Sequence, residues 1–466
     1  MQNIVLFLLL VVMSGLSILR PKKGTIAVLA GALILSGTTI YFIPAWSNIS
    51  WVVTAASFFL IVPSVFCLGK KNYKRGNYLI LAMLMFGLYC LLSTVSNYQY
   101  IEESVATIKN IFQFWSIPLL AYVGIIDKSL KDSLIKIVLI VAFLQIPVSI
   151  YQYFFIVDWS SRIAGGDSVV GTFGGSIDGG GNSGALTTFL LIVWTFIIAW
   201  YLQKKKLDNI LLVTSFCLLI PVMLNETKIF FVYLPIIVAL LFYFYSKIKP
   251  MRTLMTTSLM GLAGFLVLVF YFVFLQHSGI GVKDSQDLES YVERRINNQS
   301  GLSVTNSKEI GLTRLGSILY WWEEHSIGKD FNEIIFGHGL GSSKGSGVFV
   351  GHLYNENKYK DLKLDVTGLA KYLWDLGLLG TILYISIFIS AYITLDRARI
   401  LNRNTIENAF VISSKISIII LALDNIYDTY LIRSQGLNII FSCIIAYTLY
   451  IYRNAINENR IIKDKR

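Results

Sequence analysis

Residues 184–206 read GALTTFLLIVWTFIIAWYLQKKK, twenty residues without a formal charge followed by three lysines. About twenty apolar residues is the length of helix that crosses ~30 Å of hydrocarbon. In lipid such a run satisfies its backbone N–H and C=O groups only as a helix. The lysines then mark the end that stays on the cytoplasmic side. The stretch predicts one transmembrane helix with a fixed direction, and the rest of the chain repeats the pattern.

Similar apolar runs occupy 2–19, 24–43, 50–69, 77–95, 108–126, 133–157, 208–224, 228–246, 253–276, 367–394, 408–432 and 435–452. With 184–203 they make about thirteen spans. A hydrophobic share of 55%, a charged share of 15% and a mean hydropathy of +0.62 lie outside the range of a soluble domain of this length. The fold class is therefore all-α, a polytopic helical membrane bundle. The first span has no basic stretch before it and no small-residue cleavage site after it, so it reads as a span and not as a leader. Cys67, Cys90, Cys217 and Cys443 all fall inside apolar runs, which points to buried small side chains and away from disulfides or thiolate metal sites.

Basic residues follow alternate spans. Arg20, Lys22 and Lys23 come after the first, Lys70, Lys71, Lys74 and Arg75 after the third, Lys128 and Lys131 after the fifth. Lys247, Lys249 and Arg252 follow the ninth, Arg397, Arg399 and Arg403 the eleventh, and Arg453 opens a basic tail. The positive-inside rule then sets the N-terminus outside, the C-terminus in the cytoplasm and the segment 277–366 outside. The net charge of +12 belongs to the cytoplasmic rim, because residues 277–366 carry ten Lys and Arg against twelve Asp and Glu. It is an orientation signal and gives no support to nucleic-acid binding.

The chain thus divides into 1–276 with ten spans, a polar loop 277–366, and 367–466 with three spans and a tail. The loop holds all four histidines, His277, His325, His338 and His352. Candidate acid and base groups are gathered there on one side of a membrane. Within it, Leu312, Leu315, Leu319 and Trp322 form one apolar helical stripe, with Arg314 and Trp321 on another face. This describes a short amphipathic helix at the membrane surface, with Arg314 at headgroup level. Phe336-Gly337-His338-Gly339-Leu340-Gly341 reads as a tight turn around a histidine. No ligand spacing marks a metal site, and none is expected.

Other polar groups lie at the same boundary. The loop 158–183 has Arg162 and a glycine-dense run from Gly171 to Gly184, which reads either as a flexible connection or as a place where backbone amides approach an anion. Lys228 is either a snorkelling anchor or an anion ligand. Lys371 and Asp375, spaced i, i+4, can pair on one helix face, and Asp424 and Asp428 repeat the spacing near Arg433. Ionisable groups within spans mark a cavity or site unless they neutralise one another.

The order of Arg314 and Trp321 on one helix, the Phe336–Gly341 turn, and Gly377-Leu378-Leu379-Gly380 opening a span resembles the O-antigen polymerase and ligase superfamily. Gly171-Thr172-Phe173 with Asn182, and the turn ending in Lys228, are similar to two further landmarks of it. The similarity runs from about residue 110 to about residue 450. It implies an all-helical membrane enzyme with one large extracytoplasmic loop that moves a glycan from an undecaprenyl diphosphate carrier to an acceptor hydroxyl, inverting the linkage without metal or other cofactor. Its partners would be the lipid-linked oligosaccharide, membrane lipid, a chain-length regulator and a flippase. Arg314 matches the family's loop arginine. Lys228 stands where an arginine is usual, keeping the charge and losing the bidentate fork. The histidine that ligases carry before the Gly-Leu-Leu-Gly helix is replaced by Asp365, which favours polymerase over ligase.

Such a reaction needs cations for the departing diphosphate and a base for the acceptor hydroxyl. Arg314, Lys228 and Arg162 are the candidate cations. His338, His352 and Asp365 are the candidate bases. Tyr320, Trp321, Trp322 and Tyr354 are candidate sugar platforms, and a membrane-interface belt accounts for them as well. A flippase or transporter is the rival from another class; it would place its polar groups near the midplane of pseudo-symmetric halves.

Overall fold

The computed structural model describes residues 2–68, 77–157, 168–176, 180–204, 209–225, 227–246, 249–270, 302–304, 310–326, 331–345, 349–356, 358–360, 362–401 and 405–464. Arg162, His277 and the loop's first part lie outside the described residues.

Ten described helices are long and apolar enough to cross a membrane. Two shorter apolar helices, Ile210–Leu224 and Ile229–Tyr245, supply two more of the expected crossings. The run expected to be continuous over 108–126 is instead broken into Ile101–Phe112 and Ser116–Val123. Pro118 accounts for the break: its ring removes an N–H and clashes with the carbonyl four residues back, so the helix restarts just ahead of it. Gly124, at φ 86°, closes the second piece. The Ile101–Phe112 piece is amphipathic, with Glu102 and Glu103 in its first turn and Lys109 in its last.

The all-α reading holds. Among the described residues the exceptions are two antiparallel ladders in loops, Gly175–Ser176 with Gly180–Gly181, and Leu302–Val304 with Ile310–Leu312.

The Ser183–Gln203 helix is the centre of the bundle, with 89% of its apolar window buried. A helix that is apolar all round has no solvent face to present and is surrounded by other helices. Apolar burial drives nothing between helices already in lipid, so close contact relies on small and hydroxyl residues. Gly184 lies directly against the Tyr430 ring, and Thr188 Oγ1 donates to Asp424 Oδ1 at 3.3 Å.

At one end of the bundle the basic clusters hold the helix ends together. Lys22 pairs with Asp127, and Arg453 donates to Ala121 O at 2.9 Å and Ile126 O at 3.1 Å. Lys249 Nζ donates to Leu202 O at 2.8 Å. The loop lies at the opposite end and has a small core of its own, centred on Trp321, Leu353, Leu364 and Trp374.

The start of the glycine-dense segment is held by side-chain hydrogen bonds. Gln152 Oε1 accepts from Val170 N at 3.0 Å and Gly171 N at 2.7 Å, and Gln145 Oε1 accepts from Thr172 N at 2.9 Å. Thr172 Oγ1 donates to Leu33 O at 2.6 Å. Glutamines buried in the Lys128–Phe155 helix thus take up the amides of Val170, Gly171 and Thr172 and pin this part of the segment between helices.

Candidate functional site at the loop end of the bundle

The Gly368–Leu401 helix organises the site. Its backbone turns non-helical at Gly377, φ 64°, and the Phe336-Gly337 turn docks into that kink. A Cβ on Gly337 would lie 2.5 Å from Gly377 N, so close approach and a left-handed φ both require glycine at this contact. Tyr89 OH donates to Leu376 O at 2.9 Å, a carbonyl beside the kink.

Asp375 then holds the turn. Its fully buried carboxylate accepts from Gly341 N at 2.9 Å, Ser343 N at 2.9 Å, Ser343 Oγ at 2.6 Å and Ser342 Oγ at 3.2 Å. Lys371 Nζ, one turn earlier, lies 3.1 Å from Asp375 Oδ2, as the i, i+4 spacing predicts. Four hydrogen bonds commit Asp375 to the turn, and buried Lys371 Nζ makes no hydrogen bond in the described structure.

Two further lysines face the same place. Lys344 ends the turn, and Lys109 comes from the Ile101–Phe112 helix, whose Ser104 Oγ donates to Leu340 O at 2.9 Å. Burial and the Lys344 charge bring Lys109 down to about 8. Burial, with Lys371 nearby, lowers Lys344, and Asp365 works against that shift. One Asp365 oxygen is buried with no hydrogen bond among the described residues. Lys344 is thus flanked by two other lysines, with the Asp365 carboxylate as a nearby counter-charge.

Arg314 also lies near the start of the Gly368–Leu401 helix. It lies 3.6 Å from Asp428 Oδ2 and stacks over Tyr427 at 3.8 Å, with 36% of its side chain exposed. Gly368 N donates to Asp428 O at 3.0 Å, so the Arg314 pair sits at the first turn of the helix that carries Lys371. Asp424, fully buried, accepts from Tyr233 OH at 3.2 Å and Thr188 Oγ1 at 3.3 Å.

The sequence-expected residues divide. His352 Nδ1 lies 2.9 Å from Glu103 Oε2, and its ring stacks on Tyr100 at 3.8 Å. It is tied to the lysine group through Gly351 N, which donates to Lys344 O at 2.7 Å. Asp365 belongs to that group as well. His338 does not: its backbone N donates to Trp374 O and its ring faces His325. Lys228 is exposed at the start of the Ile229–Tyr245 helix, on a turn anchored by Asn225 Nδ2 to Thr187 Oγ1 at 2.8 Å. Trp321, only 2% exposed, is core of the loop and presents no face to a sugar. Tyr320 packs at 6.0 Å against Trp374. Leu315, Leu319 and Trp322 are exposed as one stripe, as expected for a helix resting on a membrane surface, whereas Leu312 is buried.

Lys109, Lys344 and Glu103 were missed by sequence reasoning. Lys109 stands within the run taken as a span, and a lysine in a span was a signal that could have singled it out. Glu103 sits in the first turn of the Ile101–Phe112 helix with its partner 249 positions away, and no local pattern links the two.

No protein-family model and no curated protein matches the chain. Fold and site together define a polytopic all-α membrane protein with a group of lysines at its loop end.

Proposed function

We propose that this protein is a glycosyltransferase that polymerises lipid-diphosphate-linked oligosaccharide repeat units at the outer face of the bacterial cytoplasmic membrane, without a metal in the transfer step. The observation that carries the reading is the group of Lys109, Lys344 and Lys371 near the start of the Gly368–Leu401 helix, where Arg314 also lies, next to a stripe that suits a lipid surface. Such a group suits a ligand with a polyanionic head and an apolar tail.

In this reading the acceptor hydroxyl attacks the anomeric carbon of the donor sugar as the bond from that carbon to the phosphate oxygen breaks. The lipid diphosphate leaves with the bonding pair, and the hydroxyl proton passes to a base. The cations stabilise the charge that grows on the leaving oxygen. His352 suits the base, since Glu103 fixes its ring through Nδ1 and leaves Nε2 to take a proton. Asp365 balances Lys344 when the pocket is empty.

The test is complementation of a polymerase-null strain with the full-length chain, read as glycan on a gel. A ladder of repeat lengths supports the reading. Loss of all capped lipid in a null of this gene, with no ladder restored to the polymerase-null strain, indicates a ligase instead. Arg314→Ala at normal protein level is expected to abolish the ladder, and a ladder of unchanged intensity removes Arg314 from the reaction.

A further inference from the structure

His325 Nε2 and His338 Nε2 face one another at 3.2 Å, and a carboxylate oxygen of Glu333 completes a set of three ligand atoms that all lie within 4.8 Å of one another. We propose that these three side chains form a binding site for a divalent transition ion of the zinc type.

Three features favour an ion over a plain histidine pair. Zinc–nitrogen bonds of ~2.0–2.1 Å at tetrahedral angles put two imidazole nitrogens about 3.3 Å apart, which the observed 3.2 Å matches. His325 Nδ1 lies 2.7 Å from Trp321 O, a carbonyl that only accepts, so Nδ1 carries the hydrogen and the Nε2 lone pair points into the set. Metal-bound histidines are held in this way, by donation from the remote nitrogen to a backbone carbonyl. Both rings are also fixed in advance. His325 stacks on Trp321 at 4.7 Å and 22°, and His338 on Trp374 at 5.8 Å and 26°. Two nitrogens and one carboxylate suit zinc, cobalt or nickel, and are too few and too nitrogen-rich for calcium or magnesium.

The ligands come from the Arg314–Ser326 helix, the Phe331–Phe336 helix and the glycine turn. An ion there ties the helix that carries Arg314 to the turn that Asp375 holds. His325 is eleven residues beyond Arg314, ~16 Å along a helix, so the ion lies away from Arg314. The site stands whether or not the protein transfers sugars.

The test uses the full-length protein purified in detergent and stripped of metal. Titration with Co²⁺ is followed by its visible absorption, and Zn²⁺ content is measured by elemental analysis. Expected is about one equivalent bound, a tetrahedral cobalt spectrum, and a rise in melting temperature with the metal. His338→Ala and the near-isosteric Glu333→Gln are expected to weaken binding at least ~10-fold, since even outer-shell losses cost that much. His352→Ala, which also removes one imidazole, is expected to bind as the parent does. Failure of the parent protein to bind a stoichiometric ion overturns the proposal. Undiminished binding by His338→Ala also overturns it.

Discussion

Arg314 makes two contacts that a lysine cannot reproduce together, an approach to Asp428 and a planar stack on Tyr427. Arg314→Lys is therefore expected to lose much of the activity despite the kept charge. Arg314→Ala should cost about 10²–10³ in the rate of polymer formation, the usual effect of removing one donor from a developing negative charge. Lys109 yields a pH prediction. With its ammonium held down to about 8, it is charged below that pH and loses its proton as pH rises through it, well before an ordinary lysine does. Binding of inorganic pyrophosphate to the purified protein should weaken between about pH 7.5 and 9, and Lys109→Arg should remove that step. A binding curve flat across this range would exclude Lys109 from the pocket. Asp375→Ala is expected to act on folding first. It strips the turn of an acceptor and leaves Lys371 buried without its counter-ion, a change that costs ~3–5 kcal/mol, visible as loss of folded protein.

Glycines set the geometry at the scale of elements. Gly337 and Gly377 both have positive φ and approach each other within the space of a missing Cβ. Gly377→Ala combines backbone strain of ~1–3 kcal/mol with a clash against Ile335 O, and should lower the melting temperature and release the turn to protease. The Arg314–Ser326 helix separates its two tryptophans. Trp321 is core, whereas Trp322 joins Leu315 and Leu319 on the exposed stripe. In a cysteine-free protein in vesicles, a fluorophore on Leu319→Cys should be quenched by brominated lipid, and one on exposed Lys363→Cys should not. Equal quenching at both would show that the stripe does not face lipid. Element-scale packing also explains why the periodicity of residues 311–322 identified the helix and its lipid stripe yet placed Trp321 with Arg314 as a platform. Periodicity gives the face a residue occupies, but not what covers that face, and here Trp374 and Leu353 do.

For the molecule as a whole, hydropathy and the spacing of charges determined the class. Runs of about twenty apolar residues have only one way to satisfy their backbone in lipid, so the all-helical class could be read without a structure, although of about thirteen expected spans ten described helices are long and apolar enough to cross. The same logic named the fully apolar stretch at 184–203, which became the buried centre. It also located the polar groups at one end of the bundle and the Lys371 and Asp375 pair, because that contact is local in a helix. Tertiary structure alone decided which charges meet. Lys109, Lys344 and Lys371 come from three segments, His352 finds Glu103 across 249 positions, and His325 finds His338 through a chain reversal. It also decided that the amides of the glycine segment are spent on Gln145 and Gln152. Chemistry that depends on a neighbour within one turn is written in the sequence, whereas chemistry that depends on neighbours brought together by packing exists only once the helices have packed.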